Sequence, residues 1–380
     1  ITKGEKIELE KCNFFLIIYL FVCLISCFTS SLSCQSFYGF MKTCIYTAFY
    51  FAVCQFLKNN VKYIYIISLF ILLFMLFECN IGIMQNIFGV ESISTWQDTS
   101  YVNPEDVISR VYGTLKPYNP NLFAGWLVVS IPSVFALFSY SLYLLSFSKN
   151  KKVIILIFIS AVLLLFSVLT IFLTGCRGAY IALFIIFVAF IAASYQMTDK
   201  KLWRNLFLTA CAGISTFLIL NHSILKRIMS IFILRGDSST SFRMNVYNSS
   251  VQMFYDNWLQ GIGVGNKVFR EIYGLYMLSG FDALSCYCIF LEMAVESGIF
   301  ALVAFILYVY VLLNSGIKKF INTEDISIKI LVFMSCTSII AVMVHGFVDT
   351  VFFRPQIQFV FWTMAAILTV ITREEKTVKL

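Results

Sequence analysis

Between Val153 and Leu173 the chain carries 21 consecutive uncharged residues, nearly all of them Val, Ile, Leu or Phe. In water such a run needs a partner surface along its whole length. In a bilayer it spans the hydrocarbon as a helix that satisfies its own backbone. Comparable runs lie near 12–33, 36–57, 61–78, 122–147, 178–197, 204–221, 286–313, 328–345 and 356–372, so ten spans are predicted. With 60% hydrophobic and 13% charged residues among 380, a soluble domain could not bury this much apolar surface. The expected class is all-α: a polytopic membrane protein of about ten transmembrane helices, with a long extracytoplasmic loop before the eighth. Its first partner is the lipid bilayer.

Lys and Arg set the orientation. With both termini on the cytoplasmic (or stromal) side, the inner loops and tails hold 17 of the 28 basic residues, 15 of them Lys. The outer side holds seven of the nine Arg, among them Arg110, Arg177, Arg243 and Arg354. The net charge of +8 is therefore a topology signal and no argument for nucleic acid. Arg, unlike Lys, offers a rigid fork for carboxylate, carbonate or phosphate, so the outer arginines are the candidates for chemistry. A plasma membrane of bacterial type or a plastid membrane fits this pattern.

Two outer segments are long. The first runs from about Cys79 to Asn121 and carries turn-forming Asn-Pro pairs. The second, 222–285, is too long for a passive connection. Within it, "SILKRIMSIFILR" (223–235) and "SFRMNVYNSSVQMFYDNW" (241–258) have helical spacing of apolar residues, which predicts helices lying on the membrane surface. "GIGVGN" (261–266) then breaks the chain; with no βαβ context its GxGxxG-like spacing does not imply nucleotide binding. The predicted division is 1–121 for the N-terminal helices and first outer loop, 122–310 for the core with its outer loop 222–285, and 311–380 for the last two helices.

Arg177 stands between two spans among small residues, "TGCRGA". Facing lipid it would cost about 2.5–3.5 kcal/mol, so it is expected to face the bundle or an aqueous cavity; the alternative is an arginine that snorkels to headgroups. Glu292 and Glu296, four apart, share one helix face. They are open to pairing with Arg177 or Arg243, to binding Na⁺ or H⁺, or to serving as a structural ion pair. His345, Asp349 and Arg354 cluster between the last two spans. Asp349 and Arg354 can meet across the turn, either clamping the loop or holding an anion. His222 has no visible partner in sequence. The twelve cysteines fall mostly within apolar runs, no spacing resembles a zinc site and there are two His, so no metal or cofactor is expected.

Four stretches, "NPNLFAGWL" (119–127), "LTGCRGAYIAL" (173–183), "FRMNVYNSSVQMFYDNWLQGIGVGNKVF" (242–269) and "LEMAVESGIFALVAFIL" (291–307), resemble in order and spacing the O-antigen ligase-like membrane proteins. "LSGFDALSCYCIFLEMAVESG" (278–298) and "HGFVDTVFFRPQ" (345–356) look most like the cyanobacterial inorganic-carbon (bicarbonate) transporter family within it. The superfamily's ligases join a sugar from a polyprenyl diphosphate to an acceptor, using two arginines and a His. The arginines match Arg177 and Arg243. The His position, nine before the Glu-x-Gly glutamate Glu296, falls on Tyr287, a poor base at neutral pH. The resemblance thus implies bicarbonate handling first, with an outer anion site drawn from Arg177, Arg243, Tyr287, Glu292, Glu296, Asp349 and Arg354. Transfer of a lipid-linked glycan comes second, with Arg177 and Arg243 catalytic, and a non-catalytic role in envelope assembly third.

Overall fold

The structure is a computed structural model and describes residues 11–89, 110–148, 150–197, 200–220 and 238–373. Those residues form an all-helical bundle: α1 (Lys11–Thr29), α2 (Ser33–Lys58), α3 (Tyr63–Phe88), α4 (Pro120–Phe147), α5 (Lys151–Thr174), α6 (Arg177–Met197), α7 (Lys200–Leu220), α8 (Ser238–Asn257), α9 (Asn266–Tyr273), α10 (Ile289–Asn322), α11 (Ile326–His345), a 3₁₀ turn Val351–Phe353, and α12 (Pro355–Thr372). Among the described residues nine helices, α1–α6 and α10–α12, are long and apolar enough to cross a membrane. The protein is a multi-pass membrane protein. The seventh expected span, 204–221, coincides with α7, which is not among those nine.

The helices sort into an inner and an outer set. In α4, 89% of the apolar window is buried, against 17% in α2 and 22% in α3. α4 packs against α5, α6 and α11, while α12 lies between α2 and α11, and α1 runs along α10. Phe70, Phe158 and Phe28 stay two-thirds exposed, as side chains facing lipid do when the solvent outside the bundle is itself apolar.

Two elements depart from the sequence reading. α3 continues ten residues past its expected end and takes up the start of the supposed outer loop. Glu78 and Gln85, two turns apart on one face, explain the extension. Glu78 is fully buried and accepts from Thr114 N at 3.0 Å and from its hydroxyl, and Gln85 Oε1 accepts from the amides of Tyr112 and Gly113. The loop is thus tied down along α3.

The eighth expected span is broken. α10 bends at Gly298, whose φ of 77° is non-helical. The carbonyls freed by the break need donors, because no water replaces them within an apolar bundle. The GIGVGN segment supplies them. Ile262 N donates to Val295 O at 3.0 Å, Gly263 N to Glu296 O at 2.9 Å, and Ser26 Oγ also to Glu296 O. A Cβ on Gly298 would sit 2.4 Å from Leu259 O, and one on Gly261 would sit 2.3 Å from Glu296 O. Only glycine allows this approach and the positive φ it requires.

α8 forms the described part of the predicted surface segment; 223–235 lies outside the described residues. α8 packs on α10 and α9. Val246 and Met253 of α8 join Val268, Phe269 and Tyr273 of α9 and Cys286 in a small second core. The cap therefore has its own hydrophobic anchor beside the bundle.

Candidate functional site

Three connections meet at Asp349. The first is the start of α4. Asn119 caps it, its side chain accepting from Asn121 N at 2.7 Å, and Pro120 takes the first helical position. This is the arrangement that Asn-Pro favours at a helix start. It leaves Asn121 facing the site, where Nδ2 donates to Asp349 Oδ2 at 3.0 Å and Oδ1 accepts from Arg110 Nη2.

The second connection is the α5–α6 turn. Gly175 ends α5 in the left-handed region, at φ 63°, and Thr174 O accepts from Arg110 Nε at 2.8 Å. Arg110 therefore joins the two turns. Arg177 opens α6 and is half-buried.

The third is the cap. Arg243 Nη2 lies 3.8 Å from Asp349 Oδ2, and its guanidinium sits 5.6 Å over the Tyr287 ring. One turn on, Tyr247 donates to Tyr287 O at 3.1 Å, so the i, i+4 pair of α8 grips both partners. Tyr287 is held at φ 54°, a conformation a large side chain adopts only when its surroundings over-determine it. Burial, with Asp349 nearby, pushes the Tyr287 phenol above its ordinary value. It stays neutral at physiological pH and presents its ring face, not a base, to Arg243.

Asp349 is held as well as holding. Its Oδ1 accepts from the amides of Thr350 and Val351 at 2.8 and 3.2 Å. The partner expected within its own loop, Arg354, is exposed and forms no ion pair with it. The reason is the helix start: Arg354 is the residue before Pro355 at the beginning of α12, while Asp349 is turned inward by its own amides. His345, expected beside them, is 2% exposed and closed in between α4 and α6. Its Nε2 lies 3.5 Å from Cys176 Sγ, and a Cβ on Gly178 would come within 2.8 Å of the ring. It is a packed, hydrogen-bonded group that lines a small cavity with Gly125, Gly346 and Phe352.

Glu292 and Glu296 do share a face, but it is not the face of Arg243. Glu292 Oε2 accepts from Cys286 N at 3.3 Å, and neither carboxylate makes an ion pair within 4.0 Å among the described residues. Both line a separate cavity between α1, α2, α10 and α12. The break at Gly298 turns this face toward α1 and α2. Asn121 and Tyr247 were not anticipated as site residues, and Arg110 only as one of the outer arginines. The one sequence signal for Asn121 was its place in Asn-Pro-Asn.

Residues 162–306 match the protein family described as O-Antigen ligase. That stretch covers α5 from its middle onward, Arg177, Arg243, the GIGVGN clamp and the broken start of α10, and is similar to that family. No curated protein matches the chain. The match supports the ligase-type resemblance; nothing in it supports inorganic-carbon transport.

Proposed function

We propose that the protein transfers or polymerises glycan from a lipid diphosphate, with Arg243 and Arg177 receiving the diphosphate. One observation carries the reading. At 3.8 Å Asp349 is too far for a hydrogen bond, so it offsets the charge of Arg243 without occupying its donors. Among the described residues no other hydrogen bond to that guanidinium is formed. The fork is held in place, oriented by a carboxylate and a ring face, with its N–H groups left for phosphate oxygens. A bidentate grip on a diphosphate is the use to which such a fork is suited.

The reaction needs little else from the arginines. The acceptor hydroxyl oxygen bonds to the anomeric carbon, and the bond from that carbon to the diphosphate oxygen breaks. The diphosphate leaves with the electron pair and is stabilised by the two cations. The hydroxyl proton goes to a base, which is not Tyr287.

The test is full-length protein in nanodiscs, given a polyprenyl-diphosphate-linked oligosaccharide and a glycan acceptor, with products read by mass spectrometry. Transfer by the parent and its loss in Arg243→Ala is the expected result. No transfer by the parent, together with bicarbonate uptake in proteoliposomes, would return the anion site to the smaller ligand.

A further inference from the structure

We infer that the cavity between α1, α2, α10 and α12 is a subsite for a neutral, hydroxyl-rich sugar, the acceptor end of the reaction; this inference rests on the glycan reading above. The cavity is open at one side, with about 870 Å³ of empty space when the solvent at its mouth is counted. Its chemistry is of two kinds. Tyr19, Tyr46, Phe305, Phe352 and Trp362 supply aromatic surface, against which the C–H faces of a sugar ring can pack. Glu292 and Glu296, 1% and 6% exposed, supply acceptors.

The polar groups are placed as though for a guest. Gln35 lines the cavity, and its Oε1 is buried with no hydrogen-bond partner. A buried acceptor left unpaired is costly, and a site with such groups rewards the ligand whose hydroxyls complete it. Trp362 is fixed in place, its Nε1 donating to Gln358 Oε1 at 2.5 Å and its ring packed against Tyr50, Tyr308 and Phe361. The two acidic side chains have no cation within 4.0 Å among the described residues; Glu292 Oε2 accepts from Cys286 N, and the remaining oxygens can accept from hydroxyls. At the rim Lys42 lies 4.7 Å and Lys267 5.9 Å from the Tyr38 ring centre. These two ammonium groups at the mouth disfavour entry of small organic cations and leave it open to a neutral sugar.

Position supports the assignment to the acceptor. Glu296 floors the cavity with its side chain, while its carbonyl is held by the segment that joins α8 to α9. The cavity and the Arg243 site are therefore served by one short stretch of backbone, with separate side chains.

The experiment is saturation-transfer NMR on the full chain in nanodiscs. The probes are methyl β-glucopyranoside, methyl β-galactopyranoside and methyl N-acetyl-β-glucosaminide, with tetramethylammonium as the cationic control. At least one glycoside is expected to give ring-proton signals at millimolar concentration. Those signals should fall at least fivefold in Glu296→Gln and in Gln35→Leu, and stay unchanged in Arg243→Ala. Glu296→Gln keeps the shape of the side chain, and Gln35→Leu keeps its bulk, so monodisperse protein is expected from both. Absence of signal from every glycoside in the parent would overturn the inference. So would equal signals in parent and both variants, loss in Arg243→Ala, or tetramethylammonium signals that only Glu296→Gln removes. Failure of the glycan reading is seen elsewhere, as the absence of transfer from the lipid diphosphate by the parent.

Discussion

Asn121 donates to Asp349 across 3.0 Å, tying the first turn of α4 to the loop between α11 and α12. Two residues earlier, Asn119 serves the helix alone. The pair makes a controlled comparison. Asn119→Ala should cost about 1 kcal/mol of stability through the lost cap and leave transfer per folded molecule intact. Asn121→Ala releases both Asp349 and Arg110, and should lower transfer by roughly tenfold, as about 1.4 kcal/mol of lost positioning would. Thermal unfolding of the two variants beside product formation checks the split; equal activity losses in both would show that Asn121 does no more than Asn119.

Arg243 and Asp349 should behave as a unit. Arg243→Ala is expected to lower transfer by about 10²–10³, the range for a lost charge-stabilising donor. Arg243→Lys should recover little, since the charge returns without the fork. If Asp349 acts by holding Arg243, Asp349→Ala added to Arg243→Ala changes nothing further. A double variant much slower than Arg243→Ala would assign Asp349 a separate task.

Tyr287 is expected to work through its ring. Tyr287→Phe keeps the face under Arg243 and should keep transfer within about twofold, the hydroxyl contributing little beyond the roughly 0.5–2 kcal/mol of a cation–π contact. Because burial raises the phenol above its ordinary value, its proton is held throughout the neutral range and is lost only on the alkaline side. The pH–rate profiles of parent and Tyr287→Phe should therefore superimpose from pH 6 to 9. An inflection that disappears in Tyr287→Phe would make the phenol an acid or base after all.

Gly298→Ala should be among the most damaging single-methyl additions. The residue has positive φ and its Cβ would lie 2.4 Å from Leu259 O. Backbone strain alone costs about 1–3 kcal/mol, before the clash is relieved. A drop of several degrees in unfolding temperature is expected, whereas Gly213→Ala, where a Cβ meets nothing within 4 Å, should change it by less than a degree or raise it slightly. Equal melting of the two would mean the break in α10 is not rigid.

The orientation drawn from Lys placement can be read on native lysines. An impermeant amine reagent on intact cells should label Lys267 and leave Lys318 unmodified until the membrane is opened; both are exposed on the protein. The reverse pattern would invert the topology.

The spans were legible because hydropathy over 18 or more residues admits few other folds. The start of α4 was legible from Asn-Pro-Asn. The break in α10 was not: Ser297-Gly298 sits within an apolar run, and a glycine in a helix carries no mark of which backbone will press against it. Nor was the partner of Asp349. Within the loop Arg354 is the obvious choice, and nothing local reveals that α8 delivers Arg243. The partners of Arg110 and the extension of α3 were hidden for the same reason, since Glu78 and Gln85 read as the end of a span until the loop they hold is in view.

The clamp between 261–263 and 295–296 also governs which changes of chain length the protein can accept. Each donor there meets one carbonyl in fixed register, so one residue added or removed between 258 and 265 would shift every pairing and strand the freed carbonyls of α10 in apolar surroundings. At 278–280, past the bonds that Tyr276 makes to Ser249 and Asp256, the demands are slighter: Leu278 is exposed, and a Cβ on Gly280 would touch nothing within 4 Å. Insertions and deletions among sequences of this type should gather at 278–280 and be missing from 258–265.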